Sequence, residues 1–377
     1  MTRRFFVFCF ILSIFFTFSS INILHAQSYN YQLDIPEGFE MIDQDADGKG
    51  FMFYNQLSST FCVVRIASEY RNATEALSTL LKKMGANGSV KTYRWQYKDC
   101  AITGSLSCQI NGAMQVGRAA AIPLTDAKNI IIAICFGANT PVSKAVCDSI
   151  IDSISVDRGT LFSVGIVTSF NYPAIERKDI SLTIANKTIS TSIDGNAEKA
   201  EKSVIDREFE IMKLYINSPK WKEAWIRYYQ QLYRVSYYYL QRVSFDVATV
   251  LYENDTQFAR TILQWLQYFS YERSNSDDAD FTPTTTAIQY HKNDCDSRSI
   301  ILAAILNQCA IPTTVFVSRE YSHMMAGINL KDAGLKIQGS DRAWYLTAET
   351  TSKGLSLGMM AAEMADRSKW IDCALPR

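Results

Sequence analysis

Histidine is the scarcest informative residue type in this chain. Only three occur among 377 residues: His25, His291 and His323. No Cys-x-x-Cys pair accompanies them, which excludes the usual all-protein zinc site, so no metal and no cofactor is expected. Net charge is also absent, with 38 basic and 38 acidic residues. A nucleic-acid partner would need a basic patch, so that class is excluded as well. Proline is sparse, at 8 residues, and there is no internal repeat or low-complexity tract. A hydrophobic content of 47% supports real cores and argues against disorder.

What is present begins at the N-terminus. Arg3-Arg4 precede an apolar run, Phe5–Phe18, and Leu24-His25-Ala26 offers a cleavage site. The pattern predicts a signal peptide over residues 1–26, export to the periplasm or beyond, and a mature chain from Gln27. An uncleaved anchor is the competing reading. The run is shorter than the ~20 residues that span a bilayer comfortably, and no later segment is long enough. No stable membrane insertion is therefore expected once the signal is gone. Removing Arg3 and Arg4 leaves 36 basic against 38 acidic residues, a net of −2. Eight cysteines remain after Cys9 leaves, most of them within apolar runs, as in Cys62 and Cys135. Those read as buried free thiols, with a Cys100–Cys108 hairpin disulfide as an alternative in an oxidising compartment.

Residues 27–157 read as an α+β domain. Strands are expected at Tyr31–Ile35, Phe51–Tyr54, Phe61–Ala67 and Asn129–Phe136. A helix over Ala73–Met84 carries Asn72 and Glu75 as a capping pair, and a second opens at Thr140-Pro141. Asp43, Asp45, Asp47 and Gly48 begin like a calcium loop, but Tyr54 stands where a bidentate glutamate is needed, so an acidic turn is expected. The opening Leu33–Phe39 and the strand-rich middle with its closing helix resemble PsbP-like exported domains. That resemblance implies a binding or scaffolding module without chemistry of its own.

Residues 158–202 read as a β-containing connector, with Ile180–Ile193 alternating around Asn186-Lys187 as a turn. Residues 203–377 begin with a helical lead-in. There Trp221, Trp225, Tyr228, Leu232, Val235 and Tyr239 repeat at helical spacing. Such a stripe is either core or a stacking wall beside a cleft. Ser274–Asp280 is an acidic loop that leads towards the next helix.

That helix carries the chemistry. In Asn293–Ile311, Asp294 suits an N-cap and Cys295 becomes the first helical residue. A thiol there feels the positive end of the helix dipole and unpaired backbone N–H groups, which favours thiolate. The sequence then places Ile311-Pro312 as a break, Thr313–Ser318 as a strand, His323–Leu330 as a second and Ala343–Glu349 as a third. Cysteine on a helix, histidine opening a strand and a carboxylate closing the next supply nucleophile, base and orienter.

Asp294-Cys295, Ile311-Pro312, His323 and Glu349-Thr350-Thr351, in that order, resemble the transglutaminase-like superfamily of papain-fold thiol enzymes over roughly the last 120 residues. Asn293 departs from the family's usual glycine and Glu349 from its usual aspartate. The fold class expected is thus α+β: an N-terminal α+β sheet domain followed by a C-terminal transglutaminase-like (papain-type) α+β domain. The resemblance implies an exported cysteine peptidase or transamidase acting on a protein or peptide substrate, cell-wall peptides included, through Cys295, His323 and Glu349. The oxyanion would be held by the Cys295 backbone N–H and one side-chain donor, Gln289 or Tyr290. The rival expectation, from a different class, is a non-catalytic exported binding protein that keeps the fold.

Overall fold

The computed structural model describes residues 31–110, 112–126, 128–273 and 278–376. The expected signal peptide at 1–26 lies outside the described residues, as do 274–277 of the acidic loop.

The N-terminal part is a sheet covered on both faces. Its strands are β1 (Phe39–Gln44), β2 (Gly50–Asn55), β3 (Thr60–Ala67), β4 (Val90–Trp95), β5 (Lys98–Thr103), β6 (Leu106–Ile110), β7 (Ala113–Pro123) and β8 (Ile130–Gly137). They are ordered β1-β2-β3-β8-β7-β5-β4, with β6 beside β7. The central β8, IIIAICFG, is buried along its whole length, as a strand covered on both faces must be. Helix α1 (Ala73–Lys83) covers one face and α2 (Pro141–Asp152) the other. Asn72 caps α1 as expected, accepting from the Glu75 N–H. Glu75 itself bonds the Arg71 N–H, not that of Asn72, so the box closes one residue early. The stretch 31–35 does not form the expected strand but carries isolated bridge residues, Gln32, which pairs with Ser155, and Asp34. Asp45 and Asp47 bind Arg65 in an acidic turn. All eight cysteines of the described residues are free.

Two short helices, α3 (Arg158–Leu161) and α4 (Ile166–Asn171), lead to the hairpin β9 (Arg177–Ile184) and β10 (Lys187–Asp194). The turn falls at Ala185-Asn186, both at positive φ, one residue earlier than expected. Two left-handed residues match the twist of the flanking strands. The hairpin is more than a connector: Leu182, Ile184, Ile189 and Ile193 join the apolar core of the C-terminal part.

That part contains α5 (Ala197–Lys213), α6 (Trp221–Tyr239), α7 (Gln241–Leu251) and α8 (Asp255–Gln267). There follow β11 (Ser270–Tyr271), α9 (Thr284–Tyr290), β12 (Lys292–Asn293) and α10 (Cys295–Gln308). A sheet closes the chain, with β13 (Thr313–Ser318), β14 (His323–Ile328), β15 (Lys336–Gln338), β16 (Trp344–Ala348) and β17 (Ile371–Asp372) ordered β15-β16-β14-β13-β17. Helix α10 is buried almost all round, because the sheet packs on one side and α6 to α9 on the others. Ala310 at positive φ and Pro312 end it and turn the chain into β13. Helix α9 is anchored from α5. The buried Glu201 carboxylate accepts the N–H groups of Thr284 at 3.0 Å and Thr285 at 3.1 Å, and both hydroxyls, at the helix start. A carboxylate belongs at that positive end. Among the described residues no helix is long and apolar enough to cross a membrane.

Candidate functional site

Helix α10 starts at Cys295 because Asp294 stands in extended conformation before it and accepts the Ser297 N–H at 2.9 Å. Strand β14 opens at His323, across from Ser318 in β13. Strand β16 ends at Ala348, which puts Glu349 at its exit. Residues Ala326 and Ala348 are direct partners in the β14–β16 ladder, so His323 and Glu349 lie towards the same end of neighbouring strands.

There the imidazole Nε2 of His323 bonds a Glu349 carboxylate oxygen at 2.7 Å. The other oxygen accepts the Thr351 N–H at 2.8 Å and the Thr351 hydroxyl at 2.6 Å. Burial would raise the Glu349 pKa, but His323 and Thr351 together hold it below the ordinary value. With Nε2 engaged, Nδ1 is the imidazole nitrogen left to act on a thiol. The backbone N–H of the next residue, Met324, is near enough to favour the Cys295 thiolate slightly. Histidine and glutamate thus meet at one end of the sheet, and the helix that begins at Cys295 packs against the strand that His323 opens.

The thiol differs from expectation. Cys295 is 3% exposed, and its Sγ donates to Asp296 Oδ1 at 3.1 Å. Burial first, then the charges of Asp296 and Asp294, push its pKa well above the ordinary value, against the helix dipole and the Met324 N–H. The helix start was expected to favour thiolate; a thiol in an apolar, acidic pocket is instead held protonated. Asp296 also accepts the Tyr229 hydroxyl at 2.5 Å, and burial raises its pKa too. Asp294 is pushed up to about 8, by burial and by Asp296. Asp280, Asp294 and Asp296 offer carboxylate oxygens within 4.8 Å of one another, a geometry that a cation would suit. In this structure Asp294 serves as N-cap and Arg273 pairs with Asp280 at 2.9 Å.

A cavity of about 360 Å³ adjoins the imidazole. His323, Asp296 and Asp280 line it with Trp225, Tyr228 and Tyr229 of α6. The aromatic stripe therefore divides. Its first turns, at Trp225 and Tyr228, wall the cavity, while Leu232, Val235 and Tyr239 are core. Neither Gln289 nor Tyr290 lines this cavity. Gln289 donates to the Thr285 carbonyl of its own helix at 3.1 Å, and Tyr290 is 68% exposed.

Sequence reasoning missed three residues. Tyr229 and Asp296 bracket the thiol; Asp296 could have been found as the carboxylate beside the cysteine. Arg298 is fully buried and donates Nε to Asn293 Oδ1 at 2.8 Å, and Nη groups to the carbonyls of Phe269 at 2.9 Å and Thr350 at 3.4 Å. It ties the loop before Cys295 to the strand exit that carries Glu349. A lone arginine one turn into an apolar helix was its only signal. Asn293 has a use that glycine would lack, since its amide oxygen receives Arg298.

Among known proteins, no family model matches the chain. No curated protein matches it either. Solved structures resemble it only weakly, and the likeness to PsbP and Mog1 concerns the N-terminal part. The PsbP protein of the cyanobacterium Synechocystis sp. PCC 6803 is 13% identical over 37% of this chain and 95% of its own, with a TM-score of 0.31. The Ran-binding protein Mog1p of Saccharomyces cerevisiae is 11% identical over 36% of this chain and 96% of its own, with a TM-score of 0.27. A Bacteroides thetaiotaomicron protein is 11% identical over 56% of this chain and 74% of its own, with a TM-score of 0.24. Likeness of this size carries no argument about function.

Proposed function

We propose that this chain is an exported thiol hydrolase of transglutaminase-like type, a cysteine peptidase or amidase acting on peptide or isopeptide bonds. The observation that carries the reading is the 2.7 Å bond between His323 Nε2 and Glu349. In the reaction, His323 Nδ1 takes the Cys295 proton as Sγ attacks the amide carbonyl carbon. The tetrahedral oxyanion meets the Cys295 backbone N–H at the helix start. The imidazolium, stabilised by Glu349, then protonates the leaving amine. Water, deprotonated by the same imidazole, hydrolyses the thioester and restores the thiol. Because the thiol rests protonated, deprotonation belongs to the attack step and depends on His323.

A second reading has its own support. A 3% exposed thiol with a raised pKa suits a non-catalytic binding protein that keeps the fold. Turnover of a pool of short peptide amides separates the two. The enzyme reading expects measurable hydrolysis, lost in both Cys295→Ala and His323→Ala, with the double variant no worse than either single because the two act as a unit. Absence of hydrolysis and of amine transfer in the unaltered protein favours the binding reading. N-terminal sequencing of the exported fraction, with a start near Gln27 expected, tests the signal peptide.

A further inference from the structure

The cavity beside His323 adjoins a second hollow of about 210 Å³. Both are lined by Met212, Trp225 and Arg319; Ile216 and Trp221 complete the second. Together they form a trough that runs outward from the imidazole, and its two ends differ in chemistry. The inner end carries Asp278, Asp280 and Asp296. Among the described residues, the outer end has apolar and aromatic walls, no carboxylate, and one charged group, Arg319.

Arg319 sits in the turn between β13 and β14, four residues before His323. Its guanidinium lies over the Trp221 ring, 5.1 Å from the centroid. Among the described residues it is exposed and has no ion-pair partner, whereas Arg273 at the inner end is paired with Asp280. A guanidinium held over an indole face by cation–π attraction keeps N–H donors for a carboxylate. That contact also restricts the side chain in advance, so less freedom is lost when a ligand binds.

We propose that the outer hollow is a substrate subsite for an acidic group on an apolar stem, in a peptide. The carboxylate would pair with Arg319 while the stem packs on Trp221, Trp225 and Met212. The inner aspartates repel a second acid, which points the acidic residue outward and leaves the amide backbone at His323. The word substrate rests on the thiol-hydrolase reading; the binding itself does not.

Binding is therefore measured without turnover, on the full mature chain carrying Cys295→Ala. The probes are acetyl-Phe-Glu-N-methylamide and its Gln and Lys counterparts, followed by tryptophan fluorescence and calorimetry. The Glu probe is expected to bind about tenfold more tightly than the Gln probe, a typical gain for a charge-assisted pair. Arg319→Gln should erase that preference, Arg319→Lys should restore part of it, and Trp221→Leu should weaken Glu and Gln probes alike. The proposal is overturned by equal affinity for Glu and Gln probes, by a preference that survives Arg319→Gln, by tighter binding of the Lys probe, or by no binding at all. An intact charge preference in a protein that hydrolyses no amide sinks the hydrolase reading alone.

Discussion

Helix α6 separates two buried clusters of charge, and they are built in opposite ways. One face carries Arg227, Gln231 and Arg234 towards the N-terminal sheet; another carries Trp225, Tyr228 and Tyr229 towards the thiol. On the first side cations meet anions. Arg227 pairs with Glu208 at 2.7 Å and Asp34 at 3.0 Å, and Arg207 pairs with Asp152 and Glu208, each at 2.9 Å. Arg234 donates to the carbonyls of Asp152 at 3.0 Å and Thr160 at 2.9 Å. Burial would raise Asp152 and Glu208, but their arginines hold both carboxyls below the ordinary range. Of that cluster's three carboxyls burial lifts Asp34 alone, whereas on the second side it lifts Asp294, Asp296 and Cys295 together. A buried network whose charges are matched fixes the two halves of the chain to each other. One whose charges are unmatched is kept at a cost in stability, which is what a functional site tolerates and a brace does not.

The comparison breaks most sharply at Asp152. Its carboxylate caps α4 through the Val167 and Thr168 N–H groups and pairs with Arg207. Asp152→Ala should cost about 3–5 kcal/mol in urea denaturation, since it removes one of the two carboxylates on a buried arginine and leaves the Val167 and Thr168 N–H groups without their acceptor. Thiol chemistry in the folded fraction should be unchanged. If Asp152→Ala costs under about 1 kcal/mol, the brace is not one.

His323→Ala should come next, at about 1–3 kcal/mol, because it leaves Glu349 buried without a main partner. Cys295→Ala should be far milder in the same denaturation assay. Equal costs for the two would mean that the His323–Glu349 bond contributes nothing to the fold.

Asp294→Asn sharpens the contrast through pH. The amide can still cap α10, so the change mainly removes charge. The folded pKa is raised to about 8, above the roughly 3.9 of the unfolded chain. Stability from this group is therefore full below about pH 4 and is lost as pH rises through 8. Against the unaltered protein, Asp294→Asn should gain melting temperature above pH 8, and the gain should shrink towards pH 4. A gain that grows on acidification contradicts the raised carboxyl.

The smallest effect is expected at Asp296→Asn. Removing that charge beside the sulfur should shift the pH profile of iodoacetamide alkylation at Cys295 to lower pH. An unmoved profile would mean that burial alone holds the thiol.

Local rules made much of the fold legible. The Asp294 cap, the Cys295 helix start, the β13 span and the Thr140-Pro141 helix start all follow from nearest neighbours, and each stands in the structure. So does the meeting of His323 and Glu349, since antiparallel neighbours in the sheet bring the start of one strand to the exit of the other. What failed depended on distant residues. The thiol's protonation is set by burial, which no helix-start rule contains, and then by Asp296 and Asp294; the Asp296 carboxylate is itself held by Tyr229, 67 positions away. The split of the aromatic stripe into core and cavity wall depends on where α5 and Arg319 pack. Arg298 and the matched cluster were invisible because buried arginine looks in sequence like any surface cation.

The most direct test is covalent capture. A peptidyl acyloxymethyl ketone is applied to the full mature chain, and the adduct is mapped by mass spectrometry. The expected result is one adduct, on Cys295, absent in His323→Ala. No adduct, an adduct on Cys309, or equal labelling in His323→Ala would contradict Cys295 as a nucleophile activated by His323.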